Sequence, residues 1–432
     1  MEINELYNLY KQYRLVTTDT RNSPEGALFF ALKGENFNGN KFALTALKNG
    51  CSYAIVDEWE GEENPRIIVV DNVLLTLQKL ANYHRKKLKI PIVGITGSNG
   101  KTTTKELVAA ILAKEFKVAS TQGNYNNHIG VPLTLLSMNK SHEIGVVEMG
   151  ANKPGDIKEL SEICEPNFGL ITSLGKAHVE GFGSFEGIIK TKSELYDFVR
   201  QHDGKVFVNK DNPILFEKSE GMDRILYGRN DESFFVSGNI VVANPFLEFT
   251  WSFFDNSYYV KTHLVGDYNL DNVLAAAAIG KFFGIHAEYI SEALEEYEPK
   301  NSRSQFERTE RNDLIIDAYN ANPTSMKASL DSFSKIDSDL PKAVILGEMK
   351  ELGEITDEEH REILRFVLEQ PFEKAYLVGD IFKNLSVANE KLVYFSTVEE
   401  LCEELKKNPI TRHYILLKGS NSVHLDRSLK WL

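Results

Sequence analysis

The sequence predicts an α/β protein of three domains. Three observations carry this. Strand-like apolar runs alternate with helix-like stretches along most of the chain. A glycine-rich turn, "GSNGKTTT", follows one such strand near residue 100 and opens a helix. Between about 231 and 264 the pattern changes to three aromatic and β-branched runs before the alternation resumes. A chain of 432 residues has room for roughly three domains at about 150 residues each.

Residues 1–88 contain the short apolar runs "ALFFAL" and "YAIV", separated by polar turns, and then the helical stretch "NVLLTLQKLANYHRKKL". They predict a small α/β N-terminal domain. Residues 89–298 begin with an apolar strand at Pro91, followed by the strands "EIGVVEM" and "FGLITSL", each leading into a glycine-containing loop and helix-like sequence. That alternation implies a mainly parallel sheet. The runs "SFFVSGNIVV", "FLEFTWSFF" and "SYYVKTHLV" predict antiparallel strands appended to it, and the helix "NVLAAAAIGKFFG" follows. The linker "EEYEPKNS" then leads into residues 299–432, with strands in "LIIDAYN", "AVILGEM", "AYLVGD" and "YILLKGS". Helices alternate with them: "TDEEHREILRFVLEQ" has an acidic start, and "STVEELCEELKKN" has Ser396 and Glu399 in capping-box spacing. This is the pattern of a doubly wound, Rossmann-like C-terminal domain.

Composition excludes several classes. A formal net charge of −13 argues against a nucleic-acid partner, which calls for clustered Lys and Arg. Any anionic ligand must therefore be held by local groups. Cys51, Cys164 and Cys402 form no C-x-x-C spacing and suggest neither a disulfide framework nor a zinc site; buried structural thiols are expected. The polar start "MEINELYNLYKQYRLV" does not read as a secretory signal. No run approaches the ~18 apolar residues of a membrane span. A cytoplasmic protein is expected.

The glycine-rich turn carries the strongest chemical signal. Gly97, Ser98, Asn99, Gly100, Lys101, Thr102 and Thr103 lie between a strand and a helix. There, glycines let backbone N–H groups approach phosphate oxygens, Lys101 adds a point charge and the Thr102 hydroxyl can ligate Mg²⁺. This makes the central unit a P-loop mononucleotide-binding domain. The common loop G-x-x-x-x-G-K-[ST] would need glycine where Ile95 stands, so this is a variant.

Further candidates fall at the carboxyl ends of the strands, where parallel sheets gather ligands. Glu148 ends "EIGVVEM" and reads either as a solvated strand end or as a magnesium carboxylate. His178, in "SLGKAHVEGFG", reads as a solvated loop histidine or a ligand. Lys192, in "GSFEGIIKTKSELYDFV", reads by pattern as an ordinary surface lysine. The Asn-rich "TQGNYNNHIGVPLTLL" suits a polar ligand and a turn equally. Thr20 and Arg21 could meet an anion or form a surface turn, and Arg303 stands at a domain junction from which it could swing onto a nucleotide. In "VNKDNP" a guanine-reading N-K-x-D motif fails because Asn212 occupies the aspartate position, so a turn is expected there.

Taken together, "TDTR" with "LFFALKGENFNG", "GITGSNGKTTTKE", "GNYNNHIGVPLTLL", "VVEMGANKPGDI", "AHVEGFGSFEGIIKTKSEL", "DAYNANPTSM", "LGEMKELG" and "LLKGS" resemble the Mur ligases, and the resemblance covers essentially the whole chain. The family is one of ATP-dependent amide-forming enzymes of peptidoglycan precursor synthesis. The likeness is nearest to the member that joins D-alanyl-D-alanine to UDP-N-acetylmuramoyl-tripeptide through an acyl phosphate. The alternatives are the member that adds the third amino acid to the UDP-dipeptide, whose D-N-P-R segment is not found here, folylpolyglutamate synthase, and a P-loop ATPase acting as an assembly switch. The last would leave the first domain and the loops after Glu148 and Leu174 without a role.

The resemblance implies roles residue by residue. Lys101 would contact the β and γ phosphates. Thr102 and Glu148 would belong to a first magnesium site, and His178 matches the family's metal-binding histidine. Lys192 matches a lysine carbamylated in several relatives, where it helps a second magnesium ion. Asn272 would bond adenine, while Arg303 and Asp317 would bring the C-terminal domain onto ATP. Thr20 and Arg21 are placed at the uridine diphosphate end, and Asn124, Asn126 and Asn127 near the muramoyl sugar or its phosphates. Tyr268 and Asn40 depart from the family pattern, each standing where histidine is common. A monomer without membrane insertion is expected.

Overall fold

The computed structural model describes residues 1–21, 23–231, 233–300 and 303–432. The end of the expected linker, Asn301 and Ser302, lies outside the described residues.

The N-terminal part is a four-stranded parallel sheet in the order Val16–Thr17, Leu28–Phe30, Tyr53–Val56, Ile67–Val69. Helix Ile3–Tyr13 packs on helix Val73–Leu88, whose N-cap Asn72 accepts the Leu75 N–H at 2.7 Å. The second helix is also tied to the central part, since Arg85 Nε donates to Cys164 O and Asn82 Nδ2 to Glu162 O. Asn40 is buried, and its amide bonds the Asp57 side chain and backbone at 2.8 and 3.0 Å. Here the asparagine fastens two turns of this small domain.

A nine-stranded sheet follows, in the order Asn256–Val265, Phe246–Phe253, Val236–Ala243, Asp223–Arg229, Lys205–Asn209, Phe168–Ile171, Ile92–Thr96, Ile144–Glu148, Val118–Ser120. Strand side chains alternate between faces, and both faces are buried. Val93, Ile95, Val146 and Leu170 enter one core cluster, while Ile92, Val147 and Ile171 enter another. Such double burial is why these strands read as unbroken apolar runs.

Two details differ from the sequence expectation. Val236–Ala243 is not purely antiparallel: its first residues pair parallel with Asp223–Arg229, and the strand then pairs antiparallel with Phe246–Phe253. Its opening residues Val236, Ser237 and Gly238 are buried within the sheet, whereas Ile240–Val242 reach solvent, so one strand joins the two arrangements. In "STVEELCEELKKN" the helix cap is Thr397, not Ser396. Thr397 Oγ1 accepts the Glu400 N–H, and the Glu400 carboxylate accepts the Ser396 N–H at 2.8 Å. The same stretch holds T-x-x-E one residue later, and Thr397 has the extended backbone that a cap requires.

The C-terminal sheet runs Gln305–Arg308, Asp313–Asp317, Tyr414–Lys418, Lys342–Gly347, Lys374–Val378, Leu392–Phe395, parallel except for its first pair. Ile315, Val344 and Leu416 face one core; Leu314, Ile345 and Leu417 face the other. "VNKDNP" is a turn, with Asn212 capping the following helix. Cys51 and Cys164 are buried and Cys402 is half-buried. Among the described residues no helix is long and apolar enough to cross a membrane.

Candidate active site

The strand Ile92–Thr96 ends in the turn 97–100, and helix Lys101–Leu112 starts directly after it. Gly97 has φ +147° and Gly100 φ +80°. A Cβ would lie 2.1 Å from Thr172 Oγ1 at Gly97 and 2.3 Å from Asn272 Oδ1 at Gly100. Only glycine fits at either position.

The turn is braced by the end of the neighbouring strand Phe168–Ile171. Thr172 Oγ1 donates to Asn99 O at 2.6 Å, Ser173 Oγ accepts the Asn99 N–H at 2.9 Å, and Ser98 Oγ bonds both the N–H and the carbonyl of Gly175. Lys101 Nζ folds back onto the carbonyls of Gly97 and Ser98, at 2.8 and 3.2 Å. Burial lowers its pKa and Arg303 adds to that, while Glu148 opposes.

Glu148 pairs in register with Ile95 and is 1 % exposed, so it is not a solvated strand end. Its two oxygens accept from Thr102 Oγ1 at 3.0 Å and Asn126 Nδ2 at 2.8 Å. His178 has a left-handed backbone, and its Nδ1 meets the Glu351 carboxylate. Burial lowers its pKa despite that carboxylate. Lys192 is 3 % exposed, against the surface lysine its local pattern suggests. Helix Phe185–Gln201 turns this position inward, and the ammonium lies 5.5 Å from the centre of the Phe182 ring. Burial, then the charge of Lys101, push its pKa well below the usual lysine value.

Across the cavity, Arg303 stacks on Tyr319 at 3.5 Å. Asp317 pairs with the buried Lys418 at 2.6 Å and accepts Ser329 Oγ at 2.9 Å. Burial works against the Asp317 carboxylate, but Lys418 outweighs it and holds the pKa low. Asn272 sits between Thr104 Oγ1 and Asn269 Oδ1. Tyr268 is not solvent-directed: its hydroxyl meets Ser304 Oγ at 2.9 Å, beside Asp317.

Apart from Ile95, Thr104, Gly175 and Glu351, these residues line one cavity of about 1100 Å³, together with Ser98, Asn99, Thr103, Asn124 and Asn127. Thr20 and Arg21 are not among its lining residues. Arg21 is instead 88 % exposed and forked onto Asp19. Asn127 Oδ1 also accepts the Ile129 and Gly130 N–H groups in the turn leading into helix Gly130–Ser137. Lys418, Tyr319 and Glu351 escaped the sequence reading. A signal for Lys418 existed: two apolar strands end in opposite charges, "LIID" and "YILLK", and Asp317 and Lys418 are register partners.

The donor set fits magnesium. Thr102 Oγ1 and Glu148 Oε2 are hard oxygens side by side at the phosphate turn, and Mg²⁺ typically takes one or two such ligands plus substrate phosphates. Among the described residues no cluster of three or more His, Cys, Asp and Glu forms an all-protein cage, so phosphates and water would complete the shell. An unmodified Lys192 amine is no magnesium ligand.

The family model described as Mur ligase middle domain matches residues 95–280, and the Mur ligase, glutamate ligase domain matches residues 302–421. The UDP-N-acetylmuramoyl-tripeptide–D-alanyl-D-alanine ligase of Bacillus subtilis is 31% identical, over 96% of this chain and 92% of its own. The chain belongs to the Mur ligase family. Among solved structures this Mur ligase resembles MurF from Acinetobacter baumannii, with TM-score 0.88, 30% identity and coverage of 97% of this chain and 93% of that one. It also resembles the MurF ligase of Thermotoga maritima in complex with ADP, with TM-score 0.86, 26% identity and 97% of each chain covered.

Proposed function

We propose that this Mur ligase joins D-alanyl-D-alanine to UDP-N-acetylmuramoyl-tripeptide at the expense of ATP, giving the UDP-linked pentapeptide. The observation that carries the reading is the shared cavity. The phosphate turn, Glu148, His178 and Lys192 form one side of it, and Arg303 with the Asp317–Lys418 pair forms the other. A simple ATPase has no use for so large a two-sided chamber. The names of relatives aligned along nearly the full chain point to the same substrates.

In this mechanism the terminal carboxylate of the UDP-tripeptide attacks the γ-phosphate of ATP, forming a new O–P bond and releasing ADP. The dipeptide amine then attacks the acyl carbon, loses a proton, and expels phosphate. Phosphorylation is needed because a carboxylate is a poor electrophile. Lys101 leaves its loop carbonyls for the β and γ phosphates, and the backbone N–H groups of 100–103, at the start of helix Lys101–Leu112, cradle them. Thr102 and Glu148 would hold magnesium, which would offset the repulsion between carboxylate and polyphosphate. A carbamate on Lys192, with His178, would hold a second ion. Asn272 takes adenine; Arg303 and Asp317 bind the nucleotide from the C-terminal side. Asn124, Asn126 and Asn127 face the muramoyl part, and residues 1–88, with Thr20 and Arg21, hold the uridine diphosphate end. Holding amine and acyl phosphate together can lower the barrier by ~7–11 kcal/mol. The enzyme works as a cytoplasmic monomer.

The expected result of a coupled assay is ADP and phosphate release that requires both UDP-tripeptide and D-alanyl-D-alanine. Equal ATP turnover without either acceptor contradicts the ligase reading.

A further inference from the structure

The C-terminal domain touches the central domain at several points around the loop 173–180. Lys176 Nζ pairs with Glu359 at 2.6 Å, Glu180 N–H donates to Glu351 O at 3.2 Å, and His178 meets the Glu351 side chain. Among the described residues, one side chain of that domain hydrogen-bonds the phosphate turn itself. Asn322 Nδ2 donates to Asn99 Oδ1 at 2.7 Å, and Asn99 Nδ2 lies 3.5 Å from Asn322 Oδ1.

Asn322 is 5 % exposed and has a second duty. It caps helix Pro323–Lys335, its Oδ1 accepting the Ser325 N–H at 3.0 Å while Ser325 Oγ accepts the Asn322 N–H at 3.1 Å. The cap settles which way the amide points. Oδ1 is committed to the helix, so Nδ2 must face Asn99, and Asn99 must present its oxygen in return. Asn99 is in turn the residue whose backbone is gripped by Thr172 and Ser173. The next residue of the capped helix that touches this region, Thr324, accepts the Lys176 N–H at 3.2 Å, and a Cβ on Gly175 would lie 2.9 Å from its hydroxyl. The phosphate turn is thus held from behind by its own domain and from the front by one helix terminus of the other.

We infer that Asn322 is a positioning residue which couples seating of the C-terminal domain to the shape of the phosphate turn, through its amide contact with Asn99. The inference rests on the ligase reading, because it assigns the contact to the step at which the seated domain and the aligned γ-phosphate are needed together. Asn322 touches no substrate in this role. It keeps the turn in its phosphate-accepting form only when the C-terminal domain is in place.

The test is a double-mutant cycle in the full-length protein with Asn322→Ser, Asn99→Ala and the pair. Serine caps a helix as well as asparagine does but is too short to reach Asn99, so the melting temperature should hold. We expect Asn322→Ser to lower kcat about 5- to 10-fold, the scale of one lost hydrogen bond, with less change in the KM for ATP. Adding Asn322→Ser to Asn99→Ala should then cost nothing further. An unchanged kcat in Asn322→Ser, or an equal additional fall in the Asn99→Ala background, overturns the coupling. Asn99→Ala leaves the helix cap untouched, so its kcat and the cycle still decide the matter if Asn322→Ser melts early. A wild-type protein that ligates beside an equally fast Asn322→Ser contradicts the coupling alone; a wild type that forms no ligation product contradicts the ligase reading.

Discussion

Lys101→Ala removes ATP-dependent ligation by at least about 100-fold, the scale of losing one electrostatic donor at a reacting centre, while the fold survives. Both halves of this expectation come from the geometry. Among the described residues Lys101 Nζ bonds two carbonyls of its own turn, Gly97 and Ser98, and no core group, so its removal deprives the core of nothing. It stands at the first position of helix Lys101–Leu112, where alanine is well tolerated. The half-buried amine lies within electrostatic reach of Glu148, Arg303 and Lys192, in a place where an arriving polyphosphate would be its natural partner. Measuring ligation rate beside circular dichroism and melting temperature checks the claim. Unchanged turnover in a folded variant refutes the phosphate role.

The second large effect is expected at Lys192. Lys192→Ala should lose about 100-fold or more in ligation, with partial recovery on adding short carboxylic acids such as acetate. A lysine that is 3 % exposed is a poor cation even beside the Phe182 ring, because burial and then the charge of Lys101 push its pKa well below the usual value. A neutral amine can attack CO₂, forming the N–C bond of a carbamate and releasing one proton. The sign follows: raising the pH favours the uncharged amine and the modification, and lowering it protonates the amine and blocks both. Mass spectrometry of the intact protein under bicarbonate, with rate measurements of the alanine variant with and without acetate, reads the outcome. A fully active Lys192→Ala excludes the role. Because the substitution removes a desolvated amine from the interior, melting temperature is expected to hold.

The parts of this site that were legible in the sequence are those written in adjacent residues. Gly97 to Thr103 announce a phosphate turn because glycine, lysine and threonine occur together, and the structure adds why Gly97 tolerates no side chain. Glu148 was placed at a strand end from its apolar run, but its burial depends on Asn126 and Thr102, which arrive from other elements. Lys192 reads as a surface residue from its charge, yet it shares a helix face with the buried Ile188, Leu195, Tyr196 and Val199, and packing of that face against helix Asp156–Cys164 and strand Phe168–Ile171 turns it inward. Contacts between domains were hidden for the same reason. Glu351 and His178 are separated by 173 positions, and Asn322 and Asn99 by 223. For the sheets, strands with both faces buried stood out as continuous apolar runs. The short strand Val118–Ser120, at the sheet edge, carries too few apolar residues to do so. The cap at Thr397 was missed by one position because two overlapping stretches satisfy the same spacing.

Ligation of a dipeptide to a UDP-linked tripeptide is the reaction expected of this chain. It is tested most directly by mass spectrometry of the product formed from ATP, UDP-N-acetylmuramoyl-tripeptide and a mixture of free amino acids and dipeptides. One new species is expected, heavier than the UDP-linked tripeptide by D-alanyl-D-alanine less one water, with one ADP formed for each. A product extended by a single amino acid, or ADP formed with no new peptide species, would contradict it.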